Sequence, residues 1–154
     1  MIMLNLVMPR SRLGVLVFMA VVTTMLTGCQ SPAERTLNDI QFEARSGHDS
    51  TGELTWIADH PVRWRMELRN GEDTVMIGPP CGAIQAQADV TSTEIRVDMN
   101  RAAIAAIACE EPVASMDRWV HTFIGEPITY TWDEDVLTMT NNNGSLTFRR
   151  AETT

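Results

Sequence analysis

Two alternating segments that end at Asn-Gly constrain the fold of this 154-residue chain more than any other feature. In RWRMELR, residues 63–69, Trp64, Met66 and Leu68 fall on one face, and the arginines and Glu67 fall on the other. A period of two belongs to a strand with one buried face. Asn70-Gly71 follows, and both residue types tolerate positive φ, so the chain turns back in a two-residue hairpin. TVMIG, residues 74–78, returns beside it. EIRVDM, residues 94–99, alternates again with Ile95, Val97 and Met99 inward. ITYTW is a further strand, Asp133-Glu134-Asp135 is a turn, and VLTMT and SLTFR flank Asn142-Asn143-Gly144. A turn at Asn143-Gly144 sets Met139 opposite Phe148, so the two share a face.

A single helix stands out. Glu110-Glu111-Pro112 places acids and proline at a helix start. Met116, Trp119, Val120 and Phe123 then recur at i, i+3, i+4 and i+7, and Gly125 and Pro127 stop the helix. LNDIQFEA, residues 37–44, is a candidate first strand, RSGHDSTGE, residues 45–53, reads as a loop, and LTWIA, residues 54–58, reads as a strand. RAAIAAIAC, residues 101–109, fits either the start of a helix or an extended crossover. GPPCG, residues 78–82, is a rigid turn that aims Cys81. The expected class is α+β, an antiparallel β-sheet curved around one main α-helix.

The amino-terminal segment has a different character. Arg10 and Arg12 precede 14 mostly apolar residues, Leu13 to Leu26. That run is too short for a membrane-spanning helix, which needs about 20 residues, and matches the apolar region of a secretory signal. Leu26-Thr27-Gly28-Cys29 resembles the lipobox of bacterial lipoproteins. The resemblance implies that residues 1–28 are a signal peptide and that Cys29 carries diacylglycerol, with its freed amine acylated, commonly by palmitate. Residues 29–36 would form a lipid-anchored tether, and 37–154 a single domain. Two chains suffice for stable anchoring, so the mature protein would be held to a membrane without spanning it. The expected location is the bacterial cell envelope, facing periplasm or exterior. Gln30 in place of aspartate accords with outer-membrane sorting. The absence of lysine accords with a GC-rich genome and leaves a Gram-positive surface equally open.

Charge narrows the partners. With Arg10 and Arg12 removed, 20 acidic residues face 10 basic ones. A nucleic-acid partner needs the opposite sign. With Cys29 lipidated, Cys81 and Cys109 remain for a disulfide closing a loop of about 28 residues in an oxidising compartment. Two free buried thiols are the alternative. His48, His60 and His121 lack the tight spacing of a zinc site. No G-x-S-x-G is present, and GPPCG has no GK[ST], so neither a hydrolase elbow nor a phosphate loop is read. Glu110-Glu111 and Asp133-Glu134-Asp135 are explained by helix-start and turn chemistry. No catalytic residue, metal or cofactor is expected.

The order of elements carries a second resemblance. A strand, a Gly/Pro turn with Cys81, a further strand, Ala108-Cys109, an acid-Pro helix start, an amphipathic helix and a closing LTMTNNNGSLTF hairpin follow one another from about Val75 to Arg150. This resembles the META domain, or HslJ-like, family of bacterial envelope lipoproteins. Cys81 and Ala108-Cys109 stand at the family's two cysteine motifs, Trp119 to Phe123 on its helix and Leu137 to Phe148 on its last hairpin. Gly82 departs from the usual Asn, and Ala105-Ala106-Ile107 from the usual Thr-Arg-Met, so no polar ligand role is carried to those positions. The resemblance implies a β-rich domain wrapped around one helix, without a family-wide catalytic activity. It also implies links to heat shock, drug tolerance, motility or secretion. The expected function is a non-enzymatic, membrane-anchored interaction or stress-response module, with another envelope protein as partner. The alternative is a carrier or chaperone of a lipid or other apolar ligand. Such a ligand would sit in a cavity lined by Trp64, Met66, Met99, Trp119, Phe123, Met139 and Phe148. Methionine suits adaptable binding surfaces, and a filled core is the other use for the same residues.

Overall fold

Residues 37–151 are described by the computed structural model; the expected signal peptide, the expected lipid on Cys29 and the expected tether fall outside the described residues. The chain forms β1 (Gln41–Asp49), β2 (Gly52–Glu53), a 3-10 turn (Thr55–Ala58), β3 (Arg63–Arg69), β4 (Glu72–Gly78), β5 (Gly82–Val90) and β6 (Glu94–Val97). A second 3-10 turn (Met99–Arg101), β7 (Ala103–Ala106), α1 (Val113–Ile124), β8 (Ile128–Asp133), β9 (Val136–Asn141) and β10 (Gly144–Arg150) complete it.

The sheet closes on itself. Its strands run β10-β9-β8-β6-β5-β4-β3-β1, and β1 pairs back onto β10 from Phe42↔Arg150 to His48↔Ser145. Every strand pairing is antiparallel, so the ring is an eight-stranded barrel, with β2 added to β1 and β7 added to β5. This corrects the expected sheet curved around a helix. The interior of an eight-stranded barrel is just wide enough for its own side chains to fill it, which leaves no room for a helix. Those side chains come from the alternating faces: Phe42, Trp64, Val75, Ile77, Ile84, Ile95, Leu137, Met139, Leu146 and Phe148 are all buried. Phe42, Trp64, Ile77 and Ile84 form one row across four strands.

The expected first strand, residues 37–44, is observed later and longer, as β1 over Gln41–Asp49. Residues 45–53 are not a loop: Arg45 forms a bulge between the Ala44↔Phe148 and Ser46↔Thr147 pairs, and the strand continues to Asp49. A bulge bends its strand and raises its twist, which suits a strand that must join both ends of a sheet. Gly47 serves the same closure, because a Cβ there would press on Ile57, Leu146 and the Ser145 carbonyl. LTWIA forms the first 3-10 turn and not a strand, burying Ile57. The ambiguous alanine-rich segment is extended, as β7. Leu68, read as inward, is 61% exposed beside the turn of the β3–β4 hairpin. Met99, also read as inward, lies in the second 3-10 turn and is half-buried.

Helix α1 sits across one end of the barrel and buries Val120, Phe123 and Ile124. Three contacts fix it there. The Asp117 carboxylate accepts the Cys81 N–H at 2.9 Å. The Asn141 and Asn143 side chains donate to the Phe123 and Thr122 carbonyls at 2.7 and 3.2 Å. The last carbonyls of a helix lack partners within it, and this asparagine turn supplies them. Trp119 stacks on Phe123 at 5.2 Å and meets Trp56 edge-on at 6.0 Å. At the helix start, Glu111 takes the Ser115 N–H and hydroxyl and pairs with Arg118 at 2.7 Å. The Ser115 hydroxyl first, then Arg118, holds the Glu111 carboxyl below its ordinary value.

The last hairpin differs in register from its sequence reading. Asn141 pairs with Gly144, so Asn142-Asn143 is the turn and Met139 faces Leu146 while Leu137 faces Phe148. The slip is two residues, which preserves faces, so Met139 and Phe148 both remain inward. Gly144 has φ of 146° and no space for a side chain, since a Cβ would overlap the His48 carbonyl. Gly71 has φ of 83° with open space around it. Gly71→Ala should therefore cost about 1 kcal/mol and Gly144→Ala clearly more, measured as a shift in urea midpoint; equal shifts would refute the close approach. Carboxyl NMR titration should place Glu111 below its usual 4.5, and Ser115→Ala should raise it toward that value. The stabilising effect of the ionised group is present above its unfolded value and is lost as pH falls through the depressed one.

Candidate functional site

The residues singled out in the sequence separate into three places. Cys81 and Cys109 are disulfide-bonded, with 6.1 Å between their Cα atoms and 28 residues of separation. The bridge ties the start of β5 to the segment between β7 and α1, and the Ile107 N–H donates to the Cys81 carbonyl at 3.1 Å. Together with the Asp117 contact, this locks the Gly78–Gly82 turn to both β7 and the helix. Nearby, His121 lies 3.4 Å from Asp117, one turn along the same helix.

Six of the seven proposed cavity residues lie away from the apolar surface groove. Trp64, Met66, Phe123, Met139 and Phe148 are buried in one apolar cluster, and Met99 and Trp119 are half-buried against it. The Trp64 indole N–H is buried without a hydrogen-bond partner. The groove, of about 520 Å³, shares only Trp64 with this set. Its volume lies within the usual range for small-molecule sites, about 300–1,000 Å³.

The strand register explains the groove. Successive side chains of a strand point to opposite faces. Trp64, Ile77, Ile84 and Ile104 are aligned across β3, β4, β5 and β7. The first three are buried, so their strands present only backbone outward. On one side of this floor stand Arg63 and Gly78, then Ala83 and Ala105. On the other stand Arg65, Met76, Gln85 and Ala103, with Gln41 beside Arg65. The first row is glycine and alanine beyond Arg63, so the groove is open along that side. The Arg63 stem covers Gly78, whose Cβ position lies 3.4 Å from the Arg63 Cβ. At its far end Ile104 is 49% exposed, because β7 pairs with β5 and with no other strand among the described residues.

Charge is unevenly spread. β1, β3 and β10 together hold six arginines against three carboxylates, Glu43, Asp49 and Glu67. The other described residues hold three arginines against fifteen carboxylates. Arg63 lies 3.8 Å from Glu43, and Arg65 lies 3.1 Å from Glu67 and 3.7 Å from Asp39. The Arg65 Nε is buried without a hydrogen-bond acceptor. None of the groove except Trp64 was chosen from the sequence, since its parts come from four strands and meet only in register.

The fold and these features define a small disulfide-linked β-barrel domain with one capping helix. The family model of the META domain matches residues 36–153. The chain belongs to the META domain family. Two solved structures share the fold. The NMR structure of a protein from Burkholderia xenovorans has a TM-score of 0.59 and 12% identity, over 77% of this chain and 86% of that one. A second NMR structure has a TM-score of 0.55 and 13% identity, over 73% and 90%. No sequence among the curated proteins matches the chain.

Removing the disulfide frees a 28-residue loop. Cys81→Ala with Cys109→Ala should lower unfolding free energy by about 2–4 kcal/mol, read in urea under non-reducing conditions. An unchanged midpoint would show that the Asp117 and Ile107 contacts hold the segment without it.

Proposed function

We propose that this protein is a non-enzymatic binding module of the bacterial cell envelope, anchored to a membrane by lipid on Cys29. The observation that carries the reading is a lipobox placed just before a disulfide-linked domain. Leu26-Thr27-Gly28-Cys29 ends the apolar run, and the Cys81–Cys109 bridge belongs to an oxidising compartment outside the cytoplasm. A barrel whose interior is filled by its own side chains leaves binding to its outer surface. Interaction with another envelope protein, or a part in a stress response, is the role that membership of the family favours.

A second reading is supported by the groove: a carrier or chaperone of a lipid or other apolar ligand. The site for such a ligand is then the outer face of β3, β4, β5 and β7 and not the barrel interior.

Metabolic labelling with an alkyne-bearing palmitate tests the anchor. The full chain should take up label and fractionate with membranes. Cys29→Ser should lose the label and retain the leader. Undiminished labelling of that variant would overturn the anchoring, and a turnover abolished by one substitution would overturn the non-enzymatic role.

A further inference from the structure

We infer that the groove over β3, β4, β5 and β7 holds a single fatty-acid chain, with its carboxylate at Arg63 and Arg65 and its tail laid across the strands toward Ile104. This rests on the carrier reading above and specifies its site and ligand.

Width, length and the character of the floor select the ligand. The two outward rows stand two residues apart along each strand, about 7 Å from centre to centre. With alanine in place of long side chains on one side, that spacing seats one hydrocarbon chain against the Met76 and Gln85 row. From β3 to β7 the floor crosses three strand spacings, about 14 Å. The ligand is therefore long and thin. The floor is backbone already engaged in the β3–β4, β4–β5 and β5–β7 ladders. A peptide lying across these strands would find no free N–H or C=O groups beneath it, whereas a hydrocarbon needs none. Small residues make this slot: Ala83 and Ala105 leave open the volume that longer side chains would occupy.

The head is chosen by charge. The two guanidiniums stand at one end of the channel only, on the strands that carry the domain's excess of arginine. Their carboxylate neighbours are Glu43, Glu67 and Asp39, against four arginines counting Arg45 and Arg69, so the local balance is positive by one. Elsewhere the described surface is strongly acidic and would repel an anion. An apolar slot with its cations at one end matches a monoanionic, single-chain amphiphile.

The test uses the full chain in phosphatidylcholine nanodiscs, with diazirine-bearing hexadecanoic acid as probe. After irradiation and digestion, crosslinks should concentrate on peptides carrying Met76 to Gln85 and Ala103 to Ala105. Arg63→Gln with Arg65→Gln should lower their yield about tenfold or more, and the matching diazirine hexadecanol should label as weakly. Ala105→Trp, placed at an exposed position on β7, should fill the slot and block labelling with both arginines present. Unchanged thermal midpoints confirm that the variants are folded. Equal yields from acid and alcohol, or from the parent and Ala105→Trp, would overturn the assignment. Crosslinks within residues 37–151 but on barrel-interior peptides would overturn this site and keep the carrier reading. No crosslink anywhere in those residues would overturn both.

Discussion

Pairing of β1 with β10 is the contact on which the rest of the domain depends. It joins the first strand to the last across the whole chain and removes both edges of the main sheet. An exposed edge is a template for aggregation, and closure abolishes it. Closure also decides the core. Once the ring is shut, inward side chains have only one another to pack against, so Phe42, Trp64, Met139 and Phe148 become fully buried. Burying such side chains is worth roughly 1.5–3 kcal/mol each. The cost is a tight seam, met by the Arg45 bulge, by Gly47 and by Gly144.

With the barrel filled, the helix takes a different part from that of a central scaffold. It is a lid, held at three separate places. Asn141 and Asn143 satisfy its last carbonyls, Asp117 reaches the backbone of Cys81, and Trp119 packs on Trp56. The disulfide adds a covalent tie from the lid's approach to the start of β5. One consequence falls on β7, which is held along β5 and through its C-terminal link while its other edge stays open. A rigid but half-exposed strand is what gives the surface channel its far wall.

Much of the strand content was legible, and for a plain reason. Alternation in RWRMELR and the Asn70-Gly71 turn are local, and the structure places them as β3, β4 and the hairpin between them. The helix was legible from its spacing and its stops, with Val120 and Phe123 buried as read. The second half of β1 was read as a loop because Gly47, Asp49 and the bulge at Arg45 imitate one, and half of its pairing with β10 was lost with it. Leu68 was misplaced because alternation gives direction without saying where the sheet stops. The Asn143-Gly144 reading failed because these asparagines serve the helix as well as the turn, a demand from another part of the chain.

Local order belonged to the sequence by itself: where the helix and most of the strands lie, which faces are apolar, that Cys81 and Cys109 are available to each other, and a family resemblance that the match over residues 36–153 bears out. Tertiary structure alone decided that the sheet closes, that the helix caps the barrel instead of filling it, and that Arg63, Gly78, Ala83 and Ala105 line one channel. The physical reason is range. Period and turn chemistry act over a few residues, whereas register between strands and closure of a ring depend on pairings made across the length of the chain.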